Sequence, residues 1–555
     1  MIFRTTVRLM SAVAIGMMVF TAACNDLTVP NLNQPDVAKV FGTPRDVETI
    51  ASKLFQQMYN GQHGTGDDLM TQTITMSFES SSQLGNFGMG TRGTIPRSPI
   101  DNSIGNNVSI GNFRDFDFLS RNARGAANAI AALDKFTAAG NSTGSPARDA
   151  KAKSFAYFSL AYALGNLAFF YDSAAIVTAA VPTSTIPPLS KASDVMAVAL
   201  QSLDSAINIA SSPAATTGSG GFPIPLDWLS QTVDMSRTDF IKLLRSYKAK
   251  FRAGLGRTPA ERAAADWTAI IADATNGITT DFVIQTNAVT GWSGAVLNQL
   301  AVSSGWSQMT PFVLGMADTA GLYDAWLQQA VLTRTPFLLR TPDKRFPSGD
   351  TRAIQTAVTG TSRAGPPAGS VLYFRNRPPG EDTPADPWGT WYYDNWRSWA
   401  IRATNGNAPY VLFALVENDM LAAEGYIRAG NFTAAIPLIN KSRVRAGLPA
   451  LTVVNSLTDK VPNSSPTAND CVPRVPQPPN FTTTACGNIM EAMKWEKRTE
   501  TSLVGYAQWF IDSRGWGDLA QGTPLEWPVP YQELFARIKP SYTTTGAAAK
   551  GTYGF

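Results

Sequence analysis

Residues 422–449, AAEGYIRAGNFTAAIPLINKSRVRAGLP, decide the fold of this chain. They continue an apolar stripe at helical spacing that begins at Tyr410. Gly430 stands where a left-handed residue ends a helix, and Asn431 can cap the helix that follows. Pro437 would lie inside this second helix and should kink it. The stretch therefore predicts two helices joined by a sharp turn, which is a helix hairpin.

Two further hairpins are predicted nearer the N-terminus. One pairs residues 150–171 with residues 192–210, and the other lies within residues 238–275. The spacing Gly430-x-Phe432-x-x-Ala435 is that of a tetratricopeptide-like hairpin, in which small residues let two helices approach closely. The hairpins are unevenly spaced, so a regular solenoid is not indicated. The predicted fold class is mainly α, with irregular tetratricopeptide-like helix hairpins.

A loop-rich lobe interrupts the helical pattern between residues 276 and 404. Helical periodicity fades there, Gly, Pro, Ser and Thr become frequent, and aromatic residues cluster in residues 386–399. Binding residues are often found in such irregular segments. We therefore divide the chain into an N-terminal helical region (47–275), an inserted ligand-binding lobe (276–404) and a C-terminal region (405–555). The C-terminal region holds the hairpin of residues 422–449 and closing loops.

The aromatic residues of the lobe are candidates for binding a sugar. Pyranose rings offer apolar C–H faces that pack on flat aromatic rings, while amides and carboxylates bind the hydroxyls. The alternative is that these aromatic residues only attach the lobe to the helical core. The candidates are Trp292, Trp306, Trp388, Trp391, Tyr392, Tyr393, Asp394, Asn395 and Trp396.

The N-terminus has the features of an export signal. Arg4 and Arg8 precede an uncharged, largely apolar run over residues 9–20, which is too short to span a bilayer. The small residues 21–23 then lead to Cys24, an arrangement that resembles a bacterial lipobox. We expect a lipoprotein signal peptide (1–23), lipid attachment at Cys24 and a lipidated tether (24–46). The alternative is a plain secretory peptide cut after Ala23.

The other two cysteines, Cys471 and Cys486, lie 15 residues apart in a segment rich in Pro, Asn and Thr. In an exported protein this spacing predicts a disulfide that closes a loop. A zinc site is not expected, because His63 is the single histidine of the chain. We expect neither a metal nor another cofactor.

The composition excludes one large class of partner. The 555 residues carry a formal net charge of +4, with 16% charged and 44% hydrophobic residues. This is the composition of a globular protein with few charges. Because the sequence has no block of basic residues, we expect no binding to nucleic acid.

Three segments together resemble the SusD/RagB family of bacterial outer-membrane nutrient binders. Residues 440–449 read Asn-x-x-Arg-x-Arg-Ala-Gly-Leu-Pro. A Glu/Arg-rich helix over residues 496–500 is followed by Asp512-x-Arg514-x-x-Gly517, and residues 525–534 resemble the closing Pro-Ile-Pro-x-x-Glu-Leu of the family. Each match is weak by itself, and their combination over most of the chain is specific.

The resemblance implies a lipid-anchored protein on the extracellular side of the outer membrane. It implies that the protein captures an oligosaccharide, or a peptide, and passes it to a SusC-like TonB-dependent transporter. No catalytic residue is known for the family, so we expect a protein that is not an enzyme. The charged residues that recur in the family are interpreted as members of ion pairs that hold segments together: Glu424, Arg443, Arg445, Asp512 and Arg514.

Two other functions are considered. A surface glycan hydrolase would need two carboxylates, and Asp67 with Asp68 is one candidate pair. Adjacent acids more often mark a solvated turn, which is the preferred interpretation here. The second alternative is a scaffold whose hairpins bind only other proteins.

Overall fold

A computed structural model describes residues 41–64, 68–82, 86–302, 309–359, 365–366, 369–379, 391–461 and 471–555. Four of the candidate residues named above lie outside these ranges, Cys24, Asp67, Trp306 and Trp388, as do Arg4, Arg8 and Ala23 of the predicted signal peptide. Within the ranges, no helix combines the length and the apolar character needed to cross a membrane.

The N-terminal region is a layered bundle of helices. Helix α4 (Ile110–Ala138) packs against α1 (Pro44–His63) and α5 (Pro146–Phe170). Helix α5 also packs against α6 (Ala192–Ser211), which packs against α7 (Arg237–Gly254). The α5–α6 pair is the predicted hairpin, and α7 with α9 forms the next one around the short α8. The helices are α1 (Pro44–His63), α2 (Leu69–Met76), α3 (Met89–Gly93), α4 (Ile110–Ala138), α5 (Pro146–Phe170), α6 (Ala192–Ser211), α7 (Arg237–Gly254), α8 (Pro259–Ala263) and α9 (Trp267–Thr275).

Small residues set the distance between these helices. Gly165 lies in the middle of α5 and faces Phe251 of α7, where an added Cβ would come within 2.3 Å of the ring. Because real Cβ atoms do not approach so closely, only glycine fits this crossing without movement of Phe251. A small residue thus lets helices of two neighbouring hairpins, α5 and α7, approach closely.

Short elements make up the lobe between residues 276 and 404. Strand β3 (Phe282–Gln285) pairs antiparallel with β6 (Pro409–Phe413) from the C-terminal region. Strand β4 (Phe374–Asn376) pairs antiparallel with β5 (Tyr393–Asn395). The lobe has its own apolar core, which includes Trp326, Phe374 and Trp391 and continues into Trp495 and Trp509 of the C-terminal helices. The elements are β3 (Phe282–Gln285), α10 (Ala295–Val302), α11 (Pro311–Leu314), α12 (Leu322–Leu327), α13 (Arg352–Thr359), β4 (Phe374–Asn376), β5 (Tyr393–Asn395) and α14 (Trp399–Ala403).

The hairpin that opened the sequence analysis is confirmed, with one correction. Gly430 has a φ of 72°, and the side chain of Asn431 accepts a hydrogen bond from the N–H of Ala434. The helices are α15 (Leu415–Arg428) and α16 (Phe432–Arg445), and Pro437 lies inside α16. The expectation that the helix extends back to Tyr410 is wrong. Strand β6 (Pro409–Phe413) precedes it, because pairing with β3 satisfies backbone groups of this segment.

The C-terminal region closes the molecule with three helices: α17 (Ile489–Glu500), α18 (Gln508–Trp516) and α19 (Tyr531–Ala536). The sequence pattern over residues 489–509 predicts one continuous helix. The chain instead breaks after Glu500, with positive φ values at Leu503 (50°) and Ala507 (55°). The segment of the break is held by the N–H of Leu503, which donates to the Glu79 carboxylate at 2.6 Å.

Two hairpins of short strands complete the fold. Strands β1 (Ser173–Ala175) and β2 (Leu189–Lys191) connect α5 to α6. Strands β7 (Arg474–Pro476) and β8 (Thr484–Cys486) precede α17. The predicted disulfide between Cys471 and Cys486 is present and ties the ends of the second strand hairpin.

Candidate functional site

Trp292 attaches the lobe to the N-terminal bundle. It lies in the turn after β3, and its ring packs against Phe55 and Tyr59 of α1, with ring centroids 6.2 Å and 5.4 Å away. The side chain is 2% exposed. In this arrangement a ligand does not reach its ring face, which favours the packing alternative for this residue.

Most of the candidates in residues 391–396 are also buried. The ring of Trp391 packs on Tyr393, with centroids 4.6 Å apart, and Tyr393 donates a hydrogen bond to Gln355 at 2.6 Å. Asp394 accepts two hydrogen bonds from Arg375, and the Asn395 amide donates to Ser502. Trp396 is 4% exposed. These side chains form the lobe core and its contact with the break between α17 and α18.

Tyr392 is the described candidate whose side chain stays partly exposed. The guanidinium group of Arg352 lies over its ring, 4.1 Å from the centroid. The binding assignment for this set stays a prediction, and Tyr392 is its best placed member for direct contact.

A cavity lies where the lobe meets the C-terminal helices. Its volume is about 590 Å³, and we call it the Arg445 cleft. Its walls combine hydroxyl groups, apolar side chains and charged groups, a mixture suited to a polar ligand with apolar faces. The lining includes Thr280, Ser398, Ala400, Val416, Tyr373, Arg397, Arg445 and Glu500.

The charged groups of the Arg445 cleft are held in fixed positions. Arg445 Nη2 lies 2.6 Å from Glu500 Oε2 and 3.0 Å from the Tyr373 hydroxyl. Tyr373 donates to Glu500 at 2.7 Å. The Arg397 guanidinium lies over the Tyr373 ring at 4.1 Å and donates to the backbone carbonyls of Glu500 and Ser502.

Glu500 is the shared acceptor of this group. Its side chain is nearly buried and also lies 3.4 Å from Arg345. Burial would raise the pKa of Glu500, but the charges of Arg345, Arg445 and Arg397 outweigh it and hold this pKa below its ordinary value. Glu500 therefore stays ionised and keeps both cleft arginines in place.

Behind the cleft, the charged residues expected to form ion pairs largely do so. Glu424 and Asp512 both contact Arg262, at 2.6 Å and 3.0 Å. Arg443 lies 3.7 Å from Glu496, and Arg445 pairs with Glu500 as described. Arg514 differs, because its guanidinium donates to the backbone carbonyls of Phe169, Gly254 and Leu525. It holds the ends of helices α5 and α7 and the closing loop by hydrogen bonds to the backbone.

Asp68 does not lie in a solvated turn, so that expectation is wrong. It is fully buried and caps α2, its Oδ1 accepting the N–H of Thr71 at 2.9 Å. Asp115 lies close by and accepts from the N–H of Leu69 and the hydroxyl of Tyr506. Burial raises the pKa of Asp115 to about 7 and, together with the charge of Asp115, raises that of Asp68 well above its ordinary value. Since both acids are enclosed, a glycan chain does not reach them in this structure.

The cleft residues were only partly visible in the sequence. Arg445 belongs to the signature 440–449 and is interpreted from the sequence as a member of a structural ion pair, whereas Glu500 lies in the charged helix 496–500 and has no role assigned to it there. Arg397 lies within the aromatic segment, and Tyr373 carried no signal. Their convergence depends on contacts such as those of Tyr373 with Arg445 and with Glu500, which lie 72 and 127 positions away and which local patterns do not reveal.

The chain was compared with known proteins. It matches no protein-family model and no curated protein sequence. It does resemble solved structures. A SusD superfamily protein from Parabacteroides distasonis superposes with a TM-score of 0.56 at 10% identity, covering 91% of this chain and 98% of that one.

Two further SusD superfamily proteins superpose with a TM-score of 0.52 each. The protein from Bacteroides vulgatus is 13% identical, with 89% of this chain and 90% of that chain covered. The protein from Bacteroides thetaiotaomicron is 14% identical, with 89% and 97% covered. Similarity at this level of identity concerns the fold, and it extends over almost the whole of each chain. The fold expected from the sequence resemblance is thus confirmed, since this chain has a fold similar to that of these SusD superfamily proteins over most of its length.

Proposed function

We propose that this protein is a cell-surface nutrient-binding lipoprotein that captures an oligosaccharide and passes it to a SusC-like TonB-dependent transporter. The observation that carries the proposal is the SusD superfamily fold over about nine tenths of the chain. The lipobox-like residues 21–24 support export and anchoring at Cys24 in the outer membrane, facing outward. The ligand site is the Arg445 cleft, with Tyr392 and the aromatic residues of the lobe as further candidates.

The cleft suits capture without chemistry. Its volume of about 590 Å³ accommodates a few sugar rings, and its hydroxyl-bearing and apolar walls match the two kinds of surface on a pyranose. Its lining includes two carboxylates, Asp281 and Glu500, and both are already engaged: Asp281 accepts the N–H of Leu415 at 2.8 Å, and Glu500 pairs with Arg445 at 2.6 Å. We therefore propose that the protein binds its ligand and leaves the bonds of the ligand intact.

Binding is tested with a blocked cleft. Ala400 is exposed on the cleft wall, and Ala400→Trp should fill the space. Isothermal titration with a panel of oligosaccharides should show binding to the wild type and at least a tenfold loss in this variant. Ala138→Trp, on the exposed end of α4, is the matched control and should bind like the wild type. Equal binding by both variants would place the ligand outside the cleft.

The purified protein and the same oligosaccharides also test the two alternative functions, a glycan hydrolase and a protein-binding scaffold. Chromatography of the glycans after incubation should show no products, and the appearance of products would establish a glycan hydrolase. A protein that binds no oligosaccharide or peptide by itself, but binds other proteins, would be a scaffold. Purification of the full chain from outer membranes should recover a β-barrel transporter with it.

The anchor is tested separately. Cys24→Ser, or globomycin treatment of the cells, should release the protein from the membrane fraction. Continued membrane attachment of the mature protein under both conditions would contradict lipidation at Cys24.

A further inference from the structure

We propose that the Arg445 cleft is built for a saccharide that carries a carboxylate, with Arg445 and Arg397 binding that group. The inference rests on the proposed function and specifies the ligand class of the same site. It is drawn from the charges, the exposure and the anchoring of the cleft side chains.

The cleft side of the ion-pair cluster carries more cations than anions. In the pairs that surround Glu500 and Glu496, four arginines share three carboxylates: Arg345, Arg397, Arg443 and Arg445 with Asp343, Glu496 and Glu500. Arg345 and Arg443 are enclosed. Arg397 and Arg445 line the cleft and share one carboxylate, Glu500. The surplus positive charge of this cluster is therefore on the side that faces the cavity, where the wider lining also holds the exposed carboxylate of Asp281.

Both cleft arginines remain accessible. The side chain of Arg445 is 48% exposed and that of Arg397 is 25% exposed, whereas Glu500 is 5% exposed. A ligand thus meets guanidinium groups while the compensating carboxylate lies behind them. Arginine is the side chain best suited to bind a carboxylate, because its planar fork can donate two parallel hydrogen bonds.

Neighbouring contacts hold the two arginines in position before a ligand arrives. Arg397 is fixed by the Tyr373 ring and by two backbone carbonyls, and Arg445 by Glu500 and the Tyr373 hydroxyl. Less side-chain entropy is therefore lost on binding than with free surface arginines. Tyr373 connects both contacts, so it acts here as a positioning residue.

The rest of the lining suits the sugar part of such a ligand. Thr279, Thr280, Ser370 and Ser398 carry hydroxyl groups, and Val416 and Ile401 contribute apolar surface. Asp281 adds an acceptor at the start of α15, where it already accepts the N–H of Leu415 at 2.8 Å. The cleft thus has a cationic end for the carboxylate and mixed walls for the rings. An acidic oligosaccharide satisfies both, whereas a neutral one would leave Arg397 and Arg445 to share the single carboxylate of Glu500.

The test uses pairs of probes that differ only in charge. Trigalacturonate, a mannuronate trisaccharide and a glucuronate-containing trisaccharide are each titrated beside their fully methyl-esterified forms. We expect at least one acid to bind the wild-type protein tenfold more tightly than its ester, with an affinity that falls as salt is added. Arg445→Gln should weaken binding of that acid at least tenfold and change the affinity for the ester less than twofold.

Two controls are needed to interpret the weaker binding expected of Arg445→Gln. Arg121→Gln removes an exposed arginine on α4, paired with Asp117, and should leave binding unchanged. The circular dichroism and the unfolding midpoint of Arg445→Gln verify that the variant is folded, and Arg445→Lys should restore part of the affinity.

The outcomes separate this inference from the function on which it rests. If the esters or other neutral glycans bind as tightly as the acids, the acidic ligand class is excluded and glycan capture stands. If Arg445→Gln weakens acid and ester equally, the carboxylate contact is excluded. If no glycan of either kind binds, both the inference and the proposed oligosaccharide function are overturned.

Discussion

Arg262 and Glu424 form a two-point ion pair in which neither side chain is exposed to solvent. Arg262 Nε donates to Glu424 Oε1 at 2.8 Å, and Nη2 donates to Oε2 at 2.6 Å. Burial would raise the pKa of Glu424, but the charge of Arg262 outweighs it and lowers this pKa to about 2. The pair joins α8 to α15 across 162 positions of sequence, so it fixes the hairpin to the N-terminal bundle.

The first prediction follows from this pair. Arg262→Met removes the two-point partner of the enclosed Glu424 carboxylate and leaves it with Arg428 and the charge of Lys497, so the free energy of unfolding should fall by about 3 to 5 kcal/mol. Urea denaturation followed by tryptophan fluorescence measures the loss. Arg121→Met breaks the exposed pair with Asp117 and should cost less than about 1 kcal/mol. Equal losses in the two variants would contradict a structural role of the buried pair.

The second prediction concerns the close packing of α5 on α7. Gly165→Ala places a methyl group against the Phe251 ring and should lower the free energy of unfolding by about 1 to 3 kcal/mol. Phe251→Leu in the same chain should recover part of that loss, because the atoms that clash are removed. At Gly105 a new Cβ would have no described heavy atom within 4 Å, so Gly105→Ala is the control. Additive losses in the double variant would exclude the contact as the cause.

The third prediction is a loss of stability at mildly alkaline pH. Burial raises the pKa of Asp115 to about 7 and that of Glu79 to about 8, whereas unfolded carboxyl groups titrate near pH 4. Between about pH 4 and the raised pKa values of Asp115 and Glu79, the folded protein therefore binds more protons than the unfolded chain. The free energy of unfolding falls as the pH rises through this range. His63 acts in the opposite sense at lower pH, because burial lowers its pKa to about 4.

The useful window is therefore about pH 6.5 to 8, above the ordinary pKa of histidine. Urea denaturation at several pH values in this window should show stability decreasing, and Asp115→Asn should flatten the decrease. Asp227→Asn, at an exposed position paired with Lys53, should keep the slope of the wild type. Stability that is constant or rises across the window would refute the assignment.

The fourth prediction tests the disulfide. The double variant Cys471→Ala, Cys486→Ala opens a 15-residue loop, which in the loop-entropy model costs about 3 kcal/mol of stability. Its urea midpoint should fall, and addition of a reductant should lower the wild-type midpoint but not that of the double variant. A double variant as stable as the wild type would show that β7 and β8 hold this segment without the covalent link.

Much of the helical fold was predictable because its signals are local. A glycine, a capping asparagine and an apolar stripe predict the hairpin at residues 422–449, and all three lie within a few turns of helix. The start of α15 was misplaced because β6 pairs with β3, and this partner lies more than a hundred residues away. The break after α17 was missed for a similar reason, since the Glu79 carboxylate that holds it belongs to the N-terminal region.

For the candidate site, the sequence predicted residue types better than their relative positions in space. The sequence alone determined the helical class, the hairpin turn, the disulfide pair and the family pattern, since each depends on residue types at short spacing. The tertiary structure decided that Trp391, Tyr393 and Trp396 are enclosed, that Asp68 is buried, and that Arg397 and Arg445 meet at Glu500. The physical reason is that burial and charge pairing depend on which distant segments pack together, and periodicity within one segment does not specify its neighbour.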